Sequence, residues 1–263
     1  MMKIDRELEQ MLKKAEKPAR YTGGEINMVR KDPERVSVRF GFAFPDMYEI
    51  GMSYLGMQIL YDILNKNDEI YCERVFAPGL DMEEMMRDSG RKLFTLETFT
   101  PVDELDILGF TLQYELSFTN VLNMLDLGGI PLERKNRGEE YPLIVAGGPC
   151  AFNPEPLADF IDMFMVGDGE ELIEDICMIK KECATKREFL EKACLLDGVY
   201  VPEFYEPEYN DDGTLKNITK LYNKAPDRVR KALIKNLDRQ YFPEKPVVPF
   251  IETVHDRAVV ETF

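Results

Sequence analysis

The sequence has no uninterrupted apolar run near the roughly 20 residues that a membrane span requires, and its charged opening, MMKIDRELEQ, has no apolar leader core. These absences predict a cytoplasmic protein that makes no use of a membrane. Histidine is almost missing: His255 stands alone, with no nearby ligand partner. The five cysteines (Cys72, Cys150, Cys177, Cys183 and Cys194) contain no Cys-x-x-Cys pair. This chain by itself shows no metal centre. Cys177 and Cys183 lie six residues apart on a predicted helix, hence on different faces, and all five cysteines read as buried apolar thiols in a reducing compartment. Neither G-x-x-x-x-G-K nor G-x-G-x-x-G occurs, which removes the main support for a stand-alone oxidoreductase using a nucleotide or flavin. Positive charge is also short, with 33 Lys and Arg against 49 Asp and Glu, a net −16 that argues against nucleic-acid binding by the chain as a whole.

What remains is an ordinary globular composition, 44% hydrophobic and 31% charged over 263 residues. One segment reverses the charge. Residues 214–240 carry eight Lys and Arg against Asp227 and Asp238, and read as a solvated basic face that docks on the acidic remainder, with an RNA or phosphate surface as the alternative. Two strand-sized apolar runs, 143–146 and 163–166, stop abruptly at Gly147-Gly148-Pro149 and at Gly167-Asp168-Gly169-Glu170. Glycine at such ends permits positive φ and close approach of a ligand, or marks plain strand-to-helix turns.

Three further strands are predicted at 36–44, 69–75 and 107–112, with helices at about 5–16, 51–65, 80–89, 117–126 and 172–179. Alternation of this kind spells an α/β fold: a doubly wound, flavodoxin-like parallel sheet of order 2-1-3-4-5, with a ligand crevice at the switch point between the first and third strands. Beyond about residue 186 the pattern becomes mixed α/β, with a helix at 188–196, short strands at 199–202 and 218–221, a segment 228–236 that is extended or helical, and a proline linker at Pro243, Pro246 and Pro249. The expected organisation is an amino-terminal helix and arm (1–30), the doubly wound domain (31–186) and an extension with linker (187–263).

Several stretches together resemble one family, bacterial proteins in which a cobalamin-binding-like, Rossmann-like domain precedes a radical S-adenosylmethionine domain. They are ARYTGGE at 19–25, FPDMYEIGMSYLG at 44–56, QYELS at 113–117, GGP at 147–149, NPEP at 153–156, GDGE at 167–170, GVYVP at 198–202, VHDR at 254–257 and ETF at 261–263. The resemblance implies an amino-terminal accessory domain that covers or positions a catalytic barrel; a ligand-sensing or interaction module is the alternative from another class. It also implies that the tail leads into a Cys-x-x-x-Cys-x-x-Cys segment holding a [4Fe–4S] cluster and S-adenosylmethionine. On that reading the chain is truncated just before the motif, the full-length protein is an enzyme, this piece alone is not, and its partner is its own downstream domain.

Cobalamin domains with a histidine lower ligand carry Asp-x-His-x-x-Gly after the first strand. Here the same place reads Asp46-x-Tyr48-x-x-Gly51, and a phenol is a poor replacement for imidazole at neutral pH. The crevice is then either a degenerate cobalamin site or one filled by aromatic rings. The candidate cofactor-binding residues are Asp46, Tyr48, Gly51, Tyr114, Glu115, Gly147, Gly148, Gly167, Gly169 and Glu170, with Tyr48, Glu49, Tyr114 and Glu115 expected to face the crevice. The apolar end, Val259, Val260 and Phe263, is expected to open the barrel.

Overall fold

The computed structural model describes residues 4–236 and 242–254. Its first strand, β1 (Val38–Phe44), shows why the sheet forms: Phe40, Phe42 and Phe44 point to one face and Ala43 to the other, the two-residue alternation of a strand buried on both sides. The remaining strands are β2 (Ile70–Phe76), β3 (Ile107–Thr111), β4 (Leu143–Gly147), β5 (Met163–Met165) and β6 (Val199–Tyr200). The sheet order is β2-β1-β3-β4-β5-β6, parallel up to β5, so the doubly wound order 2-1-3-4-5 predicted for the five parallel strands holds. Strand β6 pairs with β5 in the antiparallel sense, so residues beyond 186 enter the same sheet. Among the described residues, no helix is long and apolar enough to cross a membrane.

Helices α3 (Leu55–Lys66), α6 (Leu172–Lys181) and α7 (Lys186–Ala193) pack on the face that carries Phe40, Phe42 and Phe44. Helices α1 (Arg6–Leu12), α4 (Leu80–Ser89) and α5 (Phe118–Leu127) cover the other face. The helix expected at 51–65 is divided: a single turn, α2 (Tyr48–Gly51), precedes α3. Gly51 permits the break, because a Cβ there would lie 2.4 Å from the Phe76 ring and 2.9 Å from the Phe44 ring. Cys183 lies beyond the end of α6, in a turn closed by its own N–H to Lys180, and not on the helix with Cys177. All five cysteines are free and buried.

Strand β2 is at the edge of the sheet, yet all seven of its residues are buried. An exposed edge invites unwanted pairing, and here segments outside the sheet cover it. The Leu96 N–H donates to the Arg74 carbonyl at 2.9 Å, and the Arg74 N–H donates to Glu97 Oε2 at 2.6 Å. Just after the arm, Lys31 Nζ donates to the carbonyls of Asn67 and Ile70.

The region after β6 makes an antiparallel hairpin of β7 (Tyr205–Tyr209) and β8 (Leu215–Lys220). Residues 228–236 form no helix, and Ala232 makes an isolated parallel bridge with Gly167. Further on, the Val247 N–H donates to Gln58 Oε1 and Val248 bridges Ile26, so the proline-rich segment lies across α3 onto the arm. Arg239, His255, Val259, Val260 and Phe263 lie outside the described residues.

Gly167 has φ +107°, and a Cβ on it would lie 2.2 Å from the Ala232 carbonyl oxygen. Gly167→Ala is therefore expected to cost roughly 1–3 kcal/mol. It should also release residues 228–236, read as a lower urea midpoint together with faster amide exchange in that segment; an unchanged midpoint would show that the bridge contributes nothing.

Candidate functional site

The carboxyl ends of the parallel strands and the helices above them enclose a crevice of about 610 Å³, within the range of small-molecule sites. Phe42, Phe44 and Met165 of the sheet form its floor; Met57 and Leu60 of α3 and Ile173 of α6 form its walls. Ser53, Thr111, Gln113, Asp168 and Glu170 supply its polar atoms, and among the described lining residues there is no Lys or Arg. An apolar space edged by hydroxyls, an amide and carboxylates suits a small uncharged or cationic molecule better than a phosphate.

Of the ten candidate residues, Gly147, Gly148, Gly167, Gly169 and Glu170 line this crevice. Gly148 has φ +97°, and a Cβ there would lie 2.9 Å from the Leu112 carbonyl oxygen. The positive φ expected of Gly148 and Gly167 is present, but the atoms that approach them closely belong to the protein's own backbone. Asp46 and Tyr114 meet at the strand ends, where the Tyr114 hydroxyl donates to Asp46 Oδ2. That bond, with some burial, pushes the Tyr114 phenol up to about 12. Glu115 is exposed and stands beside the buried Cys150 thiol, whose pKa burial and the Glu115 charge both raise.

Tyr48 and Glu49 do not face the crevice. The Tyr48 side chain is buried and its hydroxyl donates to Glu25 Oε1 at 2.9 Å. Burial, and then the Glu25 carboxylate, push its phenol upward. Glu49 accepts from Arg20 and Lys17; burial alone would raise it, but those hydrogen bonds outweigh burial and hold it at about 2. Helix α2 turns both side chains toward the arm, and Gly51 is consumed by its packing on Phe44 and Phe76.

These residues border a buried charge cluster that the sequence did not disclose. The Arg74 guanidinium donates through Nη1 and Nη2 to both oxygens of Glu25, at 3.0 and 2.9 Å, and through Nε to Glu97 at 2.7 Å. It also lies 5.4 Å from the centre of the Tyr61 ring. Burial alone would lower Arg74, but Glu97 and Glu25 raise it well above the ordinary range, so it stays charged. Glu97 goes the other way: burial outweighs the attraction of Arg74, the neighbouring Glu73 carboxylate adds to burial, and Glu97 is pushed up to about 7. The motif ARYTGGE that first marked the arm therefore works as a clamp. Arg20 pairs with Glu49, the Tyr21 hydroxyl accepts from the Gly79 N–H, and Glu25 pairs with Arg74.

An α/β domain with a crevice at its strand ends is the class that the fold defines. Residues 56–202 match the family described as radical S-adenosylmethionine (SAM) proteins, N-terminal, and the chain belongs to that family. An uncharacterised protein of Methanocaldococcus jannaschii is 30% identical over 129 residues, 48% of this chain and 23% of that protein. Among solved structures, the radical S-adenosylmethionine methyltransferase TsrM of Kitasatospora setae, with cobalamin and a [4Fe–4S] cluster bound, aligns at TM-score 0.41 and 11% identity, over 73% of this chain and 32% of that one. The same enzyme with tryptophan substrate and a SAM analogue aligns at TM-score 0.38 and 11% identity, over 66% and 29%. The match to the curated relative covers under a quarter of its length, and those to the solved chains about a third of theirs.

Two outcomes follow from the cluster. Arg74→Met should destabilise the fold by roughly 3–5 kcal/mol, because two carboxylates are left buried without their cation; chemical denaturation measures it. The pH response has two signs. Glu97 is raised in the folded state, so its stabilising effect is complete below the ordinary glutamate pKa and is lost as pH rises toward about 7. Glu49 is depressed, so its contribution is present above the ordinary value and is lost as pH falls toward about 2. Urea midpoints between pH 5 and 8 should flatten in Glu97→Gln, and those below pH 4.5 should change in Glu49→Gln.

Proposed function

We propose that this chain is the amino-terminal accessory domain of a radical S-adenosylmethionine iron–sulfur enzyme, covering or positioning its catalytic domain. The observation that carries this reading is the family match over 56–202, which begins in α3, takes in both glycine-ended strands of the crevice and ends just past β6. The iron–sulfur cluster and S-adenosylmethionine belong, on this reading, to the catalytic domain. The described residues hold no group of three or more His, Cys, Asp or Glu able to bind a metal ion, and the cysteines are buried.

Cobalamin held by a protein lower ligand does not fit these residues. Tyr48, at the place of the histidine, spends its hydroxyl on Glu25 beneath the arm, and the described residues that line the crevice include no histidine. The crevice instead offers apolar walls and a few neutral or acidic polar groups to a small molecule, among them Thr111 and Gln113, whose amide donates to the Thr111 hydroxyl.

Deleting this domain from the full-length protein should leave the brown cluster absorbance in place and reduce substrate turnover at least tenfold; unchanged turnover would end the accessory-domain reading. Titration with hydroxocobalamin should leave its visible spectrum unchanged, and Tyr48→His should not improve it, since the side chain at that position is directed away from the crevice. A histidine-ligated spectrum in Tyr48→His would show that α2 can turn its side chains toward the crevice.

A further inference from the structure

The extension beyond β6 keeps its positive charge apart from the acidic body of the chain. Residues 214–236 carry seven Lys and Arg against Asp227 alone. Two of the seven are paired, and both with acids of the extension itself: Lys220 Nζ lies 2.6 Å from Asp227 and Lys216 Nζ lies 3.6 Å from Glu208. Lys224, Arg228, Arg230, Lys231 and Lys235 are exposed and form no ion pair among the described residues, although the chain holds 49 Asp and Glu. Like charges gathered between 224 and 235 repel one another, and an anion that spans them relieves the repulsion.

These cations stand on a pinned backbone beside an open cavity of about 800 Å³, walled by the loop 194–197 after α7 and by the segment 224–230. The Tyr205 hydroxyl donates to the Pro226 carbonyl at 2.6 Å, the Gly198 N–H to the Arg230 carbonyl at 2.6 Å, and the Ala232 N–H to the Val166 carbonyl at 2.8 Å. Lys224, Arg228 and Arg230 line the cavity; of its two carboxylates, Asp227 is taken by Lys220, which leaves Asp197. Groups held in place in this way lose little freedom when a ligand arrives. Apolar side chains are interleaved with the cations: Leu221 and Leu233 in the same segment and Leu195 in the cavity wall are each more than half exposed. A chain of phosphates and flat bases matches both the charge and the apolar groups. An acidic peptide matches the charge alone, and a single phosphate leaves most of the row unmatched.

We infer that the loop 194–197 and the segment 224–235 form a binding site for single-stranded nucleic acid, with Lys224, Arg228, Arg230, Lys231 and Lys235 on its phosphates and the leucines against its bases. Arginine grips a phosphate through two N–H groups, and lysine meets it as a point charge. The net −16 of the whole chain opposes a polyanion elsewhere, so binding is local to this row. Nothing in this depends on the accessory-domain reading.

Fluorescence anisotropy of this chain with a labelled oligouridine of about twelve nucleotides tests the site. The Kd should be about 1 µM at 50 mM salt and rise roughly a hundredfold by 200 mM, as expected of five phosphates engaged on a single strand. The deoxy counterpart shares the phosphates, and the tighter of the two identifies the source. Arg228→Gln with Arg230→Gln should weaken binding at least tenfold at 50 mM salt and lower the salt slope by about 1.4. The melting temperature should not change, since both side chains are exposed and unpaired. Arg6→Gln with Lys14→Gln, exposed cations of the α1 region, should leave the Kd unchanged. An equal loss in that control would show diffuse charge attraction and overturn the inference. So would absence of binding at 50 mM salt, displacement of the oligouridine by micromolar inorganic phosphate, which would make the site one for free phosphate, or equally tight binding of polyglutamate, which would make an acidic protein the occupant.

Discussion

The guanidinium of Arg74 sits on an edge strand with its residue only 1% exposed, and the segments that surround it take their positions from its charge. A cation removed from water costs several kcal/mol unless carboxylates meet it with good geometry. Glu25 supplies one carboxylate from the arm, and Glu97 the other from the segment before β3. Met52, after α2, and Tyr61, on α3, complete the enclosure. One charge thus ties together the arm, the first strand-to-helix connection, α3 and β2. The arm can come so close because Gly23 has φ +54°, and a Cβ there would lie 2.2 Å from the Leu96 carbonyl oxygen.

This arrangement accounts for two features that otherwise look unrelated. The edge of the sheet is sealed, since Leu96 and Glu97 satisfy the backbone groups of Arg74. The side chains of α2 are also turned toward the arm, with Tyr48 on Glu25 and Glu49 on Arg20. The crevice is left to the remaining strand ends and to the walls given by α3 and α6. Its far rim is closed by the extension, where the Asp168 N–H donates to the Ala232 carbonyl and Asp168 Oδ2 accepts from the Ile234 N–H.

Much of this was legible in order of appearance. Strands that read as continuous apolar runs, separated by helices with a 3.6-residue period, admit few sheet topologies, and the order β2-β1-β3-β4-β5 is among them. The glycine-ended strands located the crevice, because ligand sites in such sheets lie beyond the carboxyl ends at the switch point. The residues that face it were less legible. Tyr48 and Glu49 follow β1 directly and so looked like crevice residues, but α2 takes only one turn and its direction depends on Gly51 resting on Phe44 and Phe76. Nothing in the spacing of Glu25, Arg74 and Glu97 marks them as partners, because 49 and 23 residues separate the pairs.

The sequence by itself determined the local matters: where most strands and helices run, where glycine must permit a turn, and which family the motifs resemble. Each depends on residues within a few positions of one another. Only the tertiary structure decided that α2 turns Tyr48 and Glu49 toward the arm, that the RYTGGE motif clamps a buried arginine, and that β6 enters the sheet antiparallel. Those outcomes depend on side chains far apart in the chain competing for the same buried space. Burial penalises every unpaired charge by more than local preferences can offset.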